Sequence, residues 1–318
     1  MQAEATMGAA DATGHAGAAA AREPLAWQRE GADWPLRTHS RFVAAAGLTW
    51  HVQQLGRGPS LLLVHGTGSA THSWHRIAPL LARHYSVTSI DLPGHGFTEG
   101  TPLGGLSLPA ISTALGALLR TLGLQPVLAV GHSAGAAILC RMALDGLITP
   151  RLLVSLNGAL LRLRGAEWLL FAPLARLLAS SVLPARLFAW AARDRASVER
   201  LVASTGSRLP PEDVDLYWRL VRNPAHVDGA LRMMAAWDLV ALERELPRLK
   251  APLALLVGEG DRTVPPGEAA RVRALLPQAT CQSLPGLGHL AHEEQPEAVA
   301  AAIDALVRQR VPEGFAHG

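Results

Sequence analysis

Lysine is almost absent. Lys250 is the single lysine among 318 residues, so arginine supplies the rest of the 29 basic side chains, and the formal net charge is only +3. These arginines are scattered. Arg186, Arg193, Arg195 and Arg200 come closest to a patch, so neither a basic stripe nor a known module for nucleic acid is present. The two cysteines, Cys140 and Cys281, fall in different expected elements, which argues against a disulfide framework and fits a reducing cytoplasm. Met1 to Arg22 is rich in Ala and Gly, carries Glu4 and Asp11, and lacks the basic start and apolar run of a secretory signal; it reads as a disordered tail. Long hydrophobic runs are missing too. Trp168 to Ala192 is the nearest approach to a membrane span, and Pro173, Arg176, Pro184 and Arg186 interrupt it. No G-x-x-x-x-G-K-[ST] nucleotide loop occurs. His65, His72, His75, His95, His132 and His292 show no recognised ligand spacing such as H-E-x-x-H. The expectation is no cofactor and no metal.

What is present is an apolar chain, 49% hydrophobic and 17% charged, with ample material for a large core. Leu61–Val64, Val87–Ile90, Val127–Val130, Leu152–Leu156 and Leu253–Val257 are short, nearly continuous apolar runs, as strands of a parallel sheet covered on both faces must be. Thr280–Leu284 is a further strand candidate, and Phe42–Ala45 with Trp50–Leu55 suggests an N-terminal hairpin turning at Gly47. Helical patterns lie between them, at Trp74–Arg83, Leu108–Leu122, Ala134–Leu144, Pro266–Leu276 and Pro296–Arg310. This alternation predicts an α/β fold: a mostly parallel central sheet flanked by helices, with right-handed crossovers. The alternation fails once, between Asn157 and Leu249. That stretch reads as several helices punctuated by Pro173, Pro184, Pro210, Pro211 and Pro224. The expected organisation is a tail over 1–22, a core over 23–156 and 250–318, and a helical cap inserted at 157–249.

Three motifs carry chemistry, each just after an expected strand. Gly131-His132-Ser133-Ala134-Gly135 is G-x-S-x-G between a buried strand and an Ala-rich helix, the context of a nucleophile elbow. His65-Gly66-Thr67-Gly68 offers backbone N–H groups for a developing oxyanion, with Thr67 and Ala134 as the two donors. Gly258-Glu259-Gly260-Asp261 supplies the acid that would fix a histidine tautomer; Asp261 is favoured over Glu259 because Arg262–Pro266 then leads into a helix. His289, after the last strand, is the general-base candidate. The order Ser133, Asp261, His289 is that of α/β-hydrolases. His65 and His132, beside the turn glycines, are expected to bond backbone or shape the pocket rim, and both are candidates for substrate contact. Trp168, Phe171, Trp190, Trp218, Met233 and Trp237 are expected to form an apolar substrate wall. Asp91, in Asp91-Leu-Pro-Gly-His-Gly96, reads as structural, holding its loop by side-chain-to-backbone bonds.

From about Phe42 to Arg310 these motifs resemble the α/β-hydrolase superfamily. Within it, Asp33-Trp34-Pro35, Ser40-Arg41-Phe42-Val43, His65 to Trp74 and Ser155-Leu-Asn-Gly-Ala-Leu160 resemble the magnesium chelatase accessory proteins of bacteriochlorophyll biosynthesis. The resemblance implies a place beside magnesium insertion into protoporphyrin and an association with the chelatase. Two expectations follow. One is a serine hydrolase cleaving an ester-type bond of an apolar small molecule, a tetrapyrrole among the candidates. The other is a non-catalytic tetrapyrrole-binding or chelatase-accessory protein on the same fold. Ser133 argues against a dehalogenase or epoxide hydrolase, which would place aspartate there. The expected location is cytoplasmic, with peripheral membrane contact through the apolar cap and its arginines as the alternative use of that face.

Overall fold

The computed structural model describes residues 25–162 and 194–310. Eight strands form one sheet: β1 (Ser40–Ala45), β2 (Leu48–Leu55), β3 (Ser60–Val64), β4 (Ser86–Ile90), β5 (Leu128–His132), β6 (Leu152–Leu156), β7 (Leu253–Gly258) and β8 (Thr280–Leu284). Their order is β1-β2-β4-β3-β5-β6-β7-β8. β1 and β2 form the antiparallel edge, β2 runs antiparallel to β4, and every later pairing is parallel. The fold is therefore the α/β-hydrolase architecture expected from the alternating pattern.

Alternate residues of each strand feed two cores. Leu62 and Val64 face α3 (Leu108–Thr121) and α4 (Ala134–Leu144). Leu61 and Leu63 face α2 (Ala78–Leu81) and, with Val130 and Leu156, the C-terminal α-helix Pro296–Arg310. The four-residue helix Trp27–Glu30 (α1) precedes the sheet. The helix expected over Trp74–Arg83 is instead a 3-10 turn at Thr71–Trp74 followed by α2. Pro79 explains the break. It lacks the N–H a continuous helix needs and its ring would meet the carbonyl one turn back, but it fits the first turn of α2.

Between β6 and β7 every described element is helical: α5 (Arg195–Ser204), α6 (Pro211–Val221), α7 (Pro224–Ala236), α8 (Val240–Glu245) and a 3-10 turn at Leu246–Arg248. Prolines stand in the first turns of α6 and α7, as the punctuation suggested. α9 (Glu268–Leu275) lies between β7 and β8; α10 (Ala291–Glu294) and α11 (Pro296–Arg310) close the described chain. Among the described residues no helix is long and apolar enough to cross a membrane.

Candidate active site

Ser133 connects β5 to α4 in a backbone conformation rare for a side-chain-bearing residue, φ 51° and ψ −118°. The turn is possible because its flanks are glycine. A Cβ on Gly135 would strike the Val64 carbonyl, and one on Gly131 would strike the Ala136 backbone nitrogen. The Ser133 N–H is held by the Leu156 carbonyl at 3.1 Å, and the Ser133 carbonyl accepts from Ala136 and Ala159. Between Gly131 and Met142, Ser133 is the one residue that is not buried. The turn thus lifts a single hydroxyl out of an otherwise sealed segment.

The Ser133 Cβ packs against Gly66, so the nucleophile candidate lies over the Gly66-Thr67-Gly68 turn. Among the described residues neither the Thr67 nor the Ala134 N–H has a protein acceptor. Ala134 is the first residue of α4, whose leading amides have no intrahelical partner and carry the positive end of the helix dipole. Unpaired donors on the residue after Ser133 and in the turn packed on its Cβ suit a tetrahedral oxyanion.

Asp261 is buried after β7, and its Oδ2 accepts from His289 Nδ1 at 2.8 Å. Its Oδ1 accepts from the Thr263 and Val264 N–H groups at 2.7 and 2.9 Å, which fixes the carboxylate plane. Glu259, the competing acid, is exposed. With Nδ1–H given to Asp261, His289 keeps Nε2 as the nitrogen able to take a proton. Among the described residues no hydrogen bond joins His289 to the Ser133 hydroxyl.

The His289 backbone is braced from two sides. His132 Nε2 bonds the His289 carbonyl at 2.9 Å; Asn157 Nδ2 donates to the Gly288 and His289 carbonyls at 2.9 and 2.8 Å, and its Oδ1 accepts from Gly258 at 2.7 Å. Asn157 therefore joins the ends of β6 and β7 to the histidine loop. Its role was not read from the sequence, although the signal was there: Asn-Gly directly after a buried strand, with Asn157 at φ 47°, a left-handed conformation asparagine tolerates. Thr205 and Ser207, from the turn after α5, hold the His289 and Leu290 N–H groups.

Two expected rim residues turn inward. His65 is fully buried; Nδ1 donates to the Gly66 carbonyl at 2.7 Å and Nε2 accepts from the Leu92 N–H at 2.9 Å. Burial lowers its pKa and keeps the ring neutral. His65 therefore fastens the loop, with both ring nitrogens bonded to backbone. His132 is also buried, and burial with the neighbouring His289 and His292 rings lowers its pKa well below the usual histidine range. Met233 is buried, with its sulfur 3.6 Å from Thr67 Oγ1. Trp218 is half-buried among the residues joining α5, α6 and α7, with the Arg222 guanidinium 4.6 Å over its ring. Trp237 is half-buried against the main core. These two positions favour support over substrate contact. Trp168, Phe171 and Trp190 lie outside the described residues. Among the described residues no group of three or more His, Cys, Asp or Glu could hold a metal ion.

Residues 61–302 match the Alpha/beta hydrolase family, and the chain belongs to that family. It is 36% identical over 274 residues to the magnesium-chelatase 30 kDa subunit of Rhodobacter capsulatus, a match spanning 86% of this chain and 95% of that one. It is also similar to a pimeloyl-[acyl-carrier protein] methyl ester esterase of Xanthomonas oryzae, 27% identical over 81% of this chain and 98% of the esterase. Among solved structures, an α/β-hydrolase-fold protein of Burkholderia ambifaria aligns with a TM-score of 0.68 and 28% identity, covering 83% of this chain and 99% of that one.

Proposed function

We propose that this protein is a serine hydrolase acting on an ester-type bond of an apolar substrate, in the service of magnesium-protoporphyrin and bacteriochlorophyll biosynthesis. The observation that carries the reading is the His289–Asp261 pair together with a strained, partly exposed Ser133 at the start of α4, packed on Gly66. Ser133 Oγ attacks the acyl carbon and its proton passes to His289 Nε2. Asp261 steadies the imidazolium, and the Thr67 and Ala134 N–H groups receive the oxyanion. His289 then gives the proton to the leaving alcohol, and water, activated by the same ring, cleaves the acyl-enzyme. The steps use side chains and backbone amides alone, so turnover is expected to persist in a strong chelator.

The pathway assignment rests on similarity to the chelatase subunit, and the ester chemistry is supported by similarity to a methyl ester esterase. The described helices between β6 and β7 serve as part of the cap, and Met233, beside the Thr67 hydroxyl, suits an apolar ligand such as a tetrapyrrole. A fluorophosphonate probe is expected to label Ser133, with turnover of a tetrapyrrole methyl ester or a short acyl ester. No label on Ser133 in folded protein, together with saturable quenching of tryptophan fluorescence by protoporphyrin, would replace this reading with that of a non-catalytic tetrapyrrole-binding accessory protein.

A further inference from the structure

His226, Gly229 and Met233 lie three and then four residues apart on α7, one stripe of a helix. All three meet the loops that follow β3 and β4. His226 Nε2 lies 3.1 Å from the Gly68 carbonyl, and its Nδ1 lies 3.1 Å from the Gly96 backbone nitrogen. Gly229 packs so closely on Gly94 that a Cβ would collide with the Gly94 carbonyl. Met233 meets the Thr67 hydroxyl. Chemistry fixes the protons. A carbonyl can only accept, so Nε2 carries hydrogen; an amide N–H can only donate, so Nδ1 is bare. Only the neutral Nε2–H form makes both bonds. Burial, with His65 nearby, pushes the His226 pKa down to about 4, against the raising effect of the Gly68 bond.

Gly68 follows Thr67 directly and takes a left-handed φ of +80°, and the turn is closed by the Ser69 N–H on the Gly66 carbonyl at 3.2 Å. The direction of the Thr67 amide is therefore set by a short, glycine-rich turn whose next carbonyl is held by an imidazole from the inserted helices. We propose that His226 is a positioning residue for the oxyanion site: it ties α7 to the Gly66–Ser69 turn, so that the inserted helices and the Thr67 amide keep their geometry together. The inference rests on the hydrolase reading for its kinetic consequence, while its structural claim stands apart from it.

The test is His226→Ala, with two readouts. For a short p-nitrophenyl ester, kcat is expected to fall at least ten-fold with KM within about two-fold, because an oxyanion contact is made chiefly in the transition state. Amide hydrogen exchange at Thr67, Gly68 and Gly96 is expected to accelerate at least ten-fold while α11 stays unchanged. A folded variant with unaltered kcat and unaltered exchange in these loops overturns the proposal. If the variant does not fold, nitrogen-15 spectra of the wild-type protein decide. A neutral Nε2–H ring at pH 7 supports the clamp, and a protonated Nδ1 overturns it. Absence of ester turnover in the wild type counts against the hydrolase reading and leaves the exchange and tautomer results to judge the clamp.

Discussion

Asp261 meets His289 at 2.8 Å, and Asp91 meets His51 at the same distance. The second pair even carries a serine, for Ser40 Oγ lies 3.0 Å from His51 Nε2. Ser40-His51-Asp91 is thus a connected relay of side chains, whereas Asp261-His289 makes no hydrogen bond to Ser133. Their surroundings separate them. Ser133 stands on a strained turn at the start of α4, against the Gly66 turn. Ser40 begins an edge strand in extended backbone, its N–H is spent on the Arg37 carbonyl, and its hydroxyl also accepts from Gln53. Asp91 Oδ1 accepts from Thr71 N–H and Oδ2 from Phe97 N–H, and its carbonyl accepts from Thr98. Burial would raise this carboxyl, but the His51 ring, their hydrogen bond, His65 and the Phe97 amide together hold it below the usual carboxylate range. The Asp91 cluster is a fastener between loops. A triad is defined by the backbone that presents the hydroxyl and receives the oxyanion, as much as by the relay of side chains.

The sharpest way to break that contrast is Ser133→Ala against Ser40→Ala. The first is expected to remove ester hydrolysis by roughly ten-thousandfold or more, the second to leave it within about two-fold. Fluorophosphonate label migrating to Ser40 in Ser133→Ala would erase the distinction. Next come the acids. Asp261→Asn is expected to lose on the order of ten-thousandfold in kcat while staying folded, because the His289 tautomer is no longer fixed. Asp91→Asn is expected to cost roughly 3 kcal/mol in urea unfolding, since it breaks a fully buried charged network.

A broader and smaller effect concerns acid. Burial is the leading cause that lowers the pKa of His65, His72, His95, His132, His226 and His292, reaching about 4 for His226 and about 3 for His292. The unfolded chain binds these protons near 6.5, before the folded one does. Their stabilisation is therefore present above about pH 6.5 and lost as pH falls through the folded values. Glu293, raised by burial, acts in the opposite sense, with stability that fades as pH rises. Calorimetry should show the melting temperature declining from pH 7 to pH 4, and a flat profile there would refute the neutral-histidine picture. The smallest effect is Trp34→Phe, which removes the indole hydrogen bond to Thr71 Oγ1 and should cost about 1 kcal/mol without altering kcat.

The sequence exposed the parallel strands well because a sheet covered on both faces needs unbroken apolar runs, as at Leu152–Leu156. The elbow was legible because its glycines are demanded by local collisions. The Trp74–Arg83 stretch was misread because apolar spacing outweighed Pro79. The His51–Asp91 fastener and the Asn157 brace were hidden for a different reason: each joins residues 40 to 132 positions apart, and no local pattern reports such a pairing. For His65 the sequence left backbone bonding and the pocket rim both open, because proximity in sequence to a functional turn does not say which way a ring points.

Two of the motifs behind the chelatase-subunit resemblance, Asp33–Pro35 and Ser40–Val43, fasten the segment before and at the start of the sheet. Trp34 reaches Thr71, Ser40 reaches His51, and Asp33 receives both Arg219 Nη atoms at 2.7 and 2.8 Å. That last pair joins positions 186 apart in the chain. At a synthesis rate of about 5–20 residues per second, the segment around Asp33 waits roughly 10–40 s for α6 to emerge. During that interval Trp34 can settle on the sheet, but the strap to Arg219 stays open. The segment around Asp33 is thus made well before the helix that fastens it, and a chaperone acting on the nascent chain would meet it with Asp33 still unpaired.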